Sequence, residues 1–464
     1  MHLIYPSTTL ARLADPLAIY GAHPETISVV AVRRAVAERL RGSVESLSKR
    51  AGDIADGRDW EWAAPGVLDA LAGAYPTAWM DSPNGLAALG NEEGFKEHVA
   101  ELRDVATDRQ FGPINESLID LLVDVALGSP AVCALRSLRR VASDLSWDDP
   151  RLLSAASKIA WGFRTLFNQH DAVALLRSDD DERYWRLVLA YGVRHNLQAV
   201  LDEYVHYLVD AEGLGARSSA ERVEGVSDAI ARALAIRPSQ IDVEAPAVVG
   251  KKLVINRFQM RGRFAMRLDD YKDEEGGAAR MGSVRDTFNS PFRPFVLATT
   301  SVGQEGLDFH PYCYRIYHWN LPGNPVDLEQ REGRVHRFKG HAIRLNLAYR
   351  QSDVIRDQSV YPDDPWRAMF DAASTETEAD SDLVPYWIYE GPVRVERRVP
   401  MLPFSREIRR LEWLKHSLTV YRLAFGQPRQ QDLLEYLQSL LGTDTAIEDL
   451  AELQIRLEPQ VQLR

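Results

Sequence analysis

Apolar positions in the first half of the chain recur every three to four residues. Over 218–236, Val223, Val226, Ile230 and Leu234 fall on one helical face, and Ser218 or Ser219 can cap the start. The same period recurs over 29–40, 116–127, 151–168 and 185–209, punctuated by glycine and proline at 64–65, 112–113 and 128–130. Residues 1–245 are therefore expected to form a mainly helical region, and no repeat of fixed period runs through it.

From about residue 246 the texture changes. Lys252–Ile255, Phe264–Leu268, Phe295–Thr299, Arg315–Trp319 and Arg344–Tyr349 read as short strands, with helical pieces at Ala278–Phe288 and Val326–Val335. Alternation of this kind predicts an α/β domain over 246–350, a parallel sheet with flanking helices. The acidic stretch Asp269–Gly277 reads as an exposed loop within it. Residues 351–464 read as a C-terminal helical extension that begins irregularly, with an acidic loop at Ser374–Asp382. Helical patterns return at 405–424, where Ile408, Leu411, Leu414 and Leu418 make an amphipathic face, and at 429–441 beyond the break Gly426-Gln427-Pro428.

Composition narrows the function classes. Two cysteines, Cys133 and Cys313, exclude a disulfide framework and a cysteine-based zinc site, and their scarcity fits a reducing cytoplasm. No basic segment followed by an apolar one opens the chain, and no apolar run approaches the ~18 residues that span a bilayer, so no membrane partner is expected. The net charge of −12 argues against nucleic acid until its distribution is considered. Residues 251–350 carry 17 Lys+Arg against 11 Asp+Glu, a balance of +6, and the rest of the chain carries −18. A local positive field on an acidic protein is what phosphate-backbone binding requires.

Two strings inside that basic stretch carry chemistry. Val296–Ala298 runs into Thr299-Thr300-Ser301-Val302-Gly303-Gln304-Glu305-Gly306-Leu307-Asp308, a buried strand ending in short polar residues and glycines. Ligands meet backbone groups at the carboxyl ends of parallel strands, and glycine permits the close approach. The second string is Gln330-Arg331-Glu332-Gly333-Arg334-Val335-His336-Arg337. Arg334 and Arg337 are three apart, so on a helix they share a face, with Gln330 one turn earlier. Two guanidinium groups held so can stabilise charge on a transferring phosphoryl group. Taken singly, the first string also fits any strand–turn–helix junction, and the second a solvated basic helix face. Between them, His318-Trp319-Asn320-Leu321-Pro322-Gly323-Asn324-Pro325 ends a strand and puts Pro325 where a helix starts.

In this order and at this separation, the strings resemble motifs V and VI of the second RecA-like lobe of superfamily 2 helicases and Swi/Snf-type translocases. The resemblance implies a RecA-like fold for 246–350. It gives Thr299 and Thr300 nucleic-acid contacts, and has Glu305, Gly306, Asp308 and Gly333 couple them to an ATP cleft. Arg334 and Arg337 become arginine fingers, and Gln330 helps position phosphate or water. ATP and Mg2+ are the implied cofactors, and double-stranded DNA the implied substrate.

Such a lobe does not make an ATP site by itself. The phosphate loop G-x-x-x-x-G-K-[ST] is absent from the 464 residues, and Gly250-Lys251 has no partnering glycine. Two acidic candidates, Asp179–Glu182 after Ala172–Arg177 and Asp202-Glu203 with His206, are expected on exposed helix faces. The chain then corresponds to the C-terminal half of a helicase, with 1–245 as an insertion between lobes and Met1 as the start of a split or truncated gene. Its ATPase activity would require a separate first-lobe partner. The alternative is a non-catalytic nucleic-acid-binding scaffold derived from a helicase. No residue set in the chain points to a resident metal.

Overall fold

A computed structural model describes residues 1–22, 28–51, 60–108, 114–177, 183–235, 239–249, 252–262, 285–292, 294–299, 308–356, 364–376, 383–400, 406–423, 436 and 439. The chain divides into two compact units. One comprises Met1–Phe264, Ser290–Pro294 and Asp353–Ala368, and the other Ala265–Asn289, Phe295–Ser352 and Met369–Arg464.

The first unit is helical because its apolar residues keep the 3.6-residue period. Helix Pro150–Phe167 starts at an Asp149 cap with proline in its first turn, and buries Leu152, Leu153, Ala156, Ile159, Ala160 and Phe163. It packs against helices Pro130–Val141 and Ser219–Leu234. The last of these begins at a reciprocal capping box between Ser218 and Glu221. The pattern read as one helix over 185–209 is two, Tyr184–Arg194 and Leu197–Ala211, because Asn196 takes φ +49° and caps the second. Tyr184–Arg194 also lies very close to helix Glu116–Gly128. A Cβ on Gly128 would sit 2.3 Å from the Leu189 carbonyl oxygen, and one on Gly192 2.6 Å from that of Gly128. Among the described residues no single helix is long and apolar enough to cross a membrane.

Buried polar side chains complete this unit. Arg136, 1% exposed, donates to the carbonyls of Leu10, Ala11, Ala14 and Ala126 and to Gln198 Oε1. Asp69 accepts from the Tyr5 and Ser7 hydroxyls and the Thr8 and Thr9 amides, which pins the first residues of the chain. Asp202, expected on an exposed face, is buried. Arg140 at 3.1 Å and the Ser137 hydroxyl at 2.6 Å replace its water, so this carboxylate is an internal structural group. Of the other acidic candidate, His170–Leu176 is helix, as expected, and Asp179–Glu182 lie outside the described residues. The unit also carries a hairpin, in which β1 (Ser239–Val249) pairs antiparallel with β2 (Lys252–Gly262). Lys252–Ile255 therefore belongs to no parallel sheet: two residues connect the strands, and a parallel pair needs a crossover of a dozen or more.

In the second unit β3 (Arg315–Tyr317) pairs in parallel with β4 (Glu396–Arg398). This parallel pair is small, and its second strand comes from the segment expected to be helical tail. Helix Pro325–Gly333 follows the expected position, capped by Asn324 with Pro325 in its first turn. Its Leu328 packs with Leu321 and with Leu414 of helix Glu407–Leu423. Phe295–Thr299 is not a strand. Phe295 and Val296 are 76% and 79% exposed, and only Leu297 reaches the cluster of Phe288, Phe309 and Val335.

Arg344–Tyr349 is helical, within His341–Gln351. Ile343, Leu345 and Leu347 alternate in sequence like a strand. The structure instead buries Ile343, Arg344, Asn346 and Leu347, a helical face whose polar members find carbonyl partners. Asn346 Nδ2 donates to the Tyr389 and Val393 carbonyls, and its Oδ1 accepts from the Val393 amide, all at 2.9 Å. The expected strand Phe264–Leu268 lies outside the described residues, as does most of 429–441.

Candidate functional site

Helix Pro325–Gly333 points its carboxyl end at the residues singled out in the sequence. Gln330 is exposed on it, and Gly333 is its last residue. Arg334 is the cap, 9% exposed, after which the chain turns. The two arginines therefore do not share a helical face: Arg334 is buried, while the Arg337 side chain is 46% exposed. A Cβ on Gly333 would meet no heavy atom within 4 Å. Packing does not demand glycine there, and the space in front of it is open to an approaching group.

The chain after 307 is joined to this turn at successive positions. Phe309 N donates to the Arg334 carbonyl at 3.0 Å, and Arg337 Nη2 lies 3.0 Å from Asp308 Oδ1. His341 N donates to the His310 carbonyl at 3.0 Å. Arg344, 1% exposed, bridges the two segments from below, donating to the carbonyls of Pro311 and Lys339. Beneath them Phe288 meets Phe309 edge to face, and Val335 completes the cluster. Asp308, Arg334 and Arg337 are thus brought together. Thr299 is exposed, and Thr300, Glu305 and Gly306 lie outside the described residues.

Residues not singled out in the sequence hold this arrangement. Lys339 takes φ +48° and is 8% exposed. Its amide donates to the Tyr386 carbonyl at 2.7 Å, and its ammonium lies 4.3 Å from the Phe370 ring and 5.6 Å from those of Phe338 and Tyr386. Glu332 is clasped by both Arg397 Nε and Nη2 and by His318 Nε2. Burial raises the Glu332 carboxyl, but the hydrogen bonds from His318 and Arg397 outweigh it and hold the group at about 2. Burial lowers His310 to about 4 against the pull of Asp308, with Arg344 and Arg337 adding to the fall. Burial and then Arg344 lower His341 to about 3. Both imidazoles are neutral near pH 7, so the charge of the site is that of its arginines and carboxylates. The glutamate inside the arginine-rich string was a readable sign of an internal partner. Nothing local marked Arg397 as that partner, 65 residues away.

Residues 279–339 match the family model of the helicase conserved C-terminal domain. This supports a helicase C-terminal lobe over that stretch, a RecA-like family, with a function related to nucleic acid. No curated protein matches the chain, and no solved structure does. The matched stretch contains Asp308, Gln330, Gly333, Arg334 and Arg337, and ends at Lys339 in its aromatic cage.

Proposed function

We propose that the chain acts as the C-terminal half of an ATP-dependent DNA translocase or helicase of Swi/Snf-like type. The reading rests above all on the Asp308–Arg337 pair, which joins the end of the motif V string to the end of the motif VI string at 3.0 Å. Arg337 is the finger: its half-exposed guanidinium offers donors that suit phosphate oxygens, and Asp308 holds it ready. Arg334, buried at the helix end, is a support rather than a second finger. Gln330 on the exposed helix face and the open space at Gly333 fit an ATP cleft closed from the other side by a first lobe that these 464 residues do not contain. ATP with Mg2+ would supply the transferable phosphoryl group. Thr299 and Thr300, with Glu305 and Gly306, would couple double-stranded DNA to that cleft.

A second reading draws on the same ion pair. With Arg337 neutralised by Asp308, the lobe would be a nucleic-acid-binding scaffold without turnover. ATP hydrolysis separates the two. On the first reading, the chain with duplex DNA and a recombinant first lobe carrying the phosphate loop hydrolyses ATP. Arg337→Ala then slows turnover by about 10³–10⁵-fold while DNA binding persists. Unchanged turnover in Arg337→Ala would remove the finger assignment. DNA binding without turnover under any such pairing would favour the scaffold.

A further inference from the structure

Strand β3 and the residues after it present an unusual outer surface. Ile316 packs on the Phe288–Phe309–Val335 cluster, and His318, 3% exposed, faces Glu332. The intervening residues Arg315, Tyr317 and Trp319 are exposed, the two aromatics by 61% and 73%. Across the parallel pair, Arg315 stands opposite Glu396 and Tyr317 opposite Arg398. Arg398 Nη1 donates to the Tyr317 hydroxyl at 3.0 Å, and its guanidinium carbon lies 5.5 Å from the ring centroid. Glu396 lies 3.2 Å from Arg315 and 2.5 Å from Arg398. The surface thus carries two exposed aromatic rings, one of them flanked by Arg398, two guanidinium groups and one carboxylate, a net positive charge.

Three kinds of occupant compete for such a surface. The centre of a protein–protein interface is depleted of acidic residues, whereas here the Glu396 carboxylate lies between Arg315 and Arg398 beside the aromatic rings. A blunt duplex hides the faces of its bases in its own stack and offers them nothing to rest on. An unpaired strand exposes base faces and phosphates together, and proteins meet it with aromatic platforms beside cationic side chains. We propose that Trp319 and Tyr317 form a stacking platform for single-stranded nucleic acid, with Arg315 and Arg398 facing its phosphates. The inference rests on the lobe's binding nucleic acid, and it narrows the substrate to one with an unpaired strand, such as an overhang or a displaced strand.

Fluorescence anisotropy of the full chain with labelled oligo(dT) and with a blunt duplex tests this. Trp319→Ala is expected to weaken oligo(dT) binding by about 5- to 150-fold, the range for loss of one base-stacking aromatic. Blunt-duplex affinity should stay unchanged, and Trp319→Phe should recover most of the loss. Unaltered oligo(dT) affinity in Trp319→Ala and in Tyr317→Ala/Trp319→Ala overturns the platform while leaving the translocase reading intact. Equal losses on both probes that Trp319→Phe does not restore also overturn it. So does a Trp319→Ala chain that keeps oligo(dT) but no longer binds a first-lobe protein, since the surface is then a protein interface. No binding of either probe at low salt by the wild-type chain defeats the nucleic-acid reading itself, and the platform with it.

Discussion

Arg136 in the helical unit and Arg344 in the motif-bearing unit are both 1% exposed, and both donate to main-chain carbonyls. They do different work. Arg136 donates to carbonyls at the carboxyl end of helix Thr8–Leu13 and near that of Glu116–Gly128, where helix carbonyls run out of internal partners; the Leu10 carbonyl also accepts the Ala14 amide. It finishes a structure that apolar helix packing has already specified. Arg344 links Pro311 to Lys339, two non-helical segments on either side of the candidate site. In that unit the described sheet is one short parallel pair, and polar side chains on carbonyls take the place of a longer ladder. Scaffold and site are therefore held by the same kind of bond, which completes helix ends in the one and joins two non-helical segments in the other.

Substitution of the first arginine should give the larger effect. Arg136→Met takes the donor from the carbonyls of Ala11, Ala14 and Ala126 and from Gln198, and leaves Leu10 only the Ala14 amide, at a cost on the order of 5 kcal/mol, comparable to the stability of a whole domain. The expected outcome is loss of cooperative melting in far-UV circular dichroism. Arg136→Lys should not rescue it, because an ammonium cannot copy the guanidinium fork. A melt within a few degrees of wild type would mean that helix packing alone suffices.

Arg344→Met should cost less, about 2–4 kcal/mol for two stranded carbonyls. Its effect should be local. Hydrogen exchange is expected to rise at the amides of Phe309, Val335 and His341 while helix Pro150–Phe167 stays protected. Uniform acceleration across both units would mean that Arg344 does not act locally.

Acid should separate the regions more gently. In the motif-bearing unit His310 and His341 have folded values of about 4 and 3, below their unfolded ones. The unfolded chain binds more protons there, so stability present above pH ~6.5 is lost as pH falls towards those values. Glu332, held at about 2, adds a further loss as pH drops below ~4.5. In the helical unit the shifts oppose one another. Burial raises Asp69 to about 6, which adds stability as pH falls from there towards ~4, and burial lowers His2 to about 4, which removes it over a similar range. Hydrogen exchange at pH 5 should therefore open Phe309 and His341 before Leu152–Phe163. The reverse order would show that the buried imidazoles do not control the site.

Legibility in the sequence followed the type of contact. The helices of the first unit were readable because aliphatic side chains repeat at the helical period and serine, aspartate and asparagine caps are local signals. Even there Asn196 was missed, since one left-handed residue divides a helix without disturbing its apolar stripe. The strings around Asp308 and Arg337 stood out by residue type and order, but their geometry was not legible. Arg334 and Arg337 looked like neighbours on a helical face, and the helix ends at Gly333. The apparent strand at Arg344–Tyr349 failed for a related reason: its alternation assumed that arginine and asparagine face water.

By itself the sequence determined which residues could do chemistry, where the helical period holds and where the positive charge collects, because these depend on residue type and local spacing. The tertiary structure decided which polar groups are buried, that Arg337 meets Asp308, and that Glu332 is answered by Arg397. Burial of a charged or amide side chain costs free energy unless a partner compensates it, and for Arg344, Asn346 and Glu332 the partners include groups 33 to 65 residues away. Such pairings leave no period in the sequence.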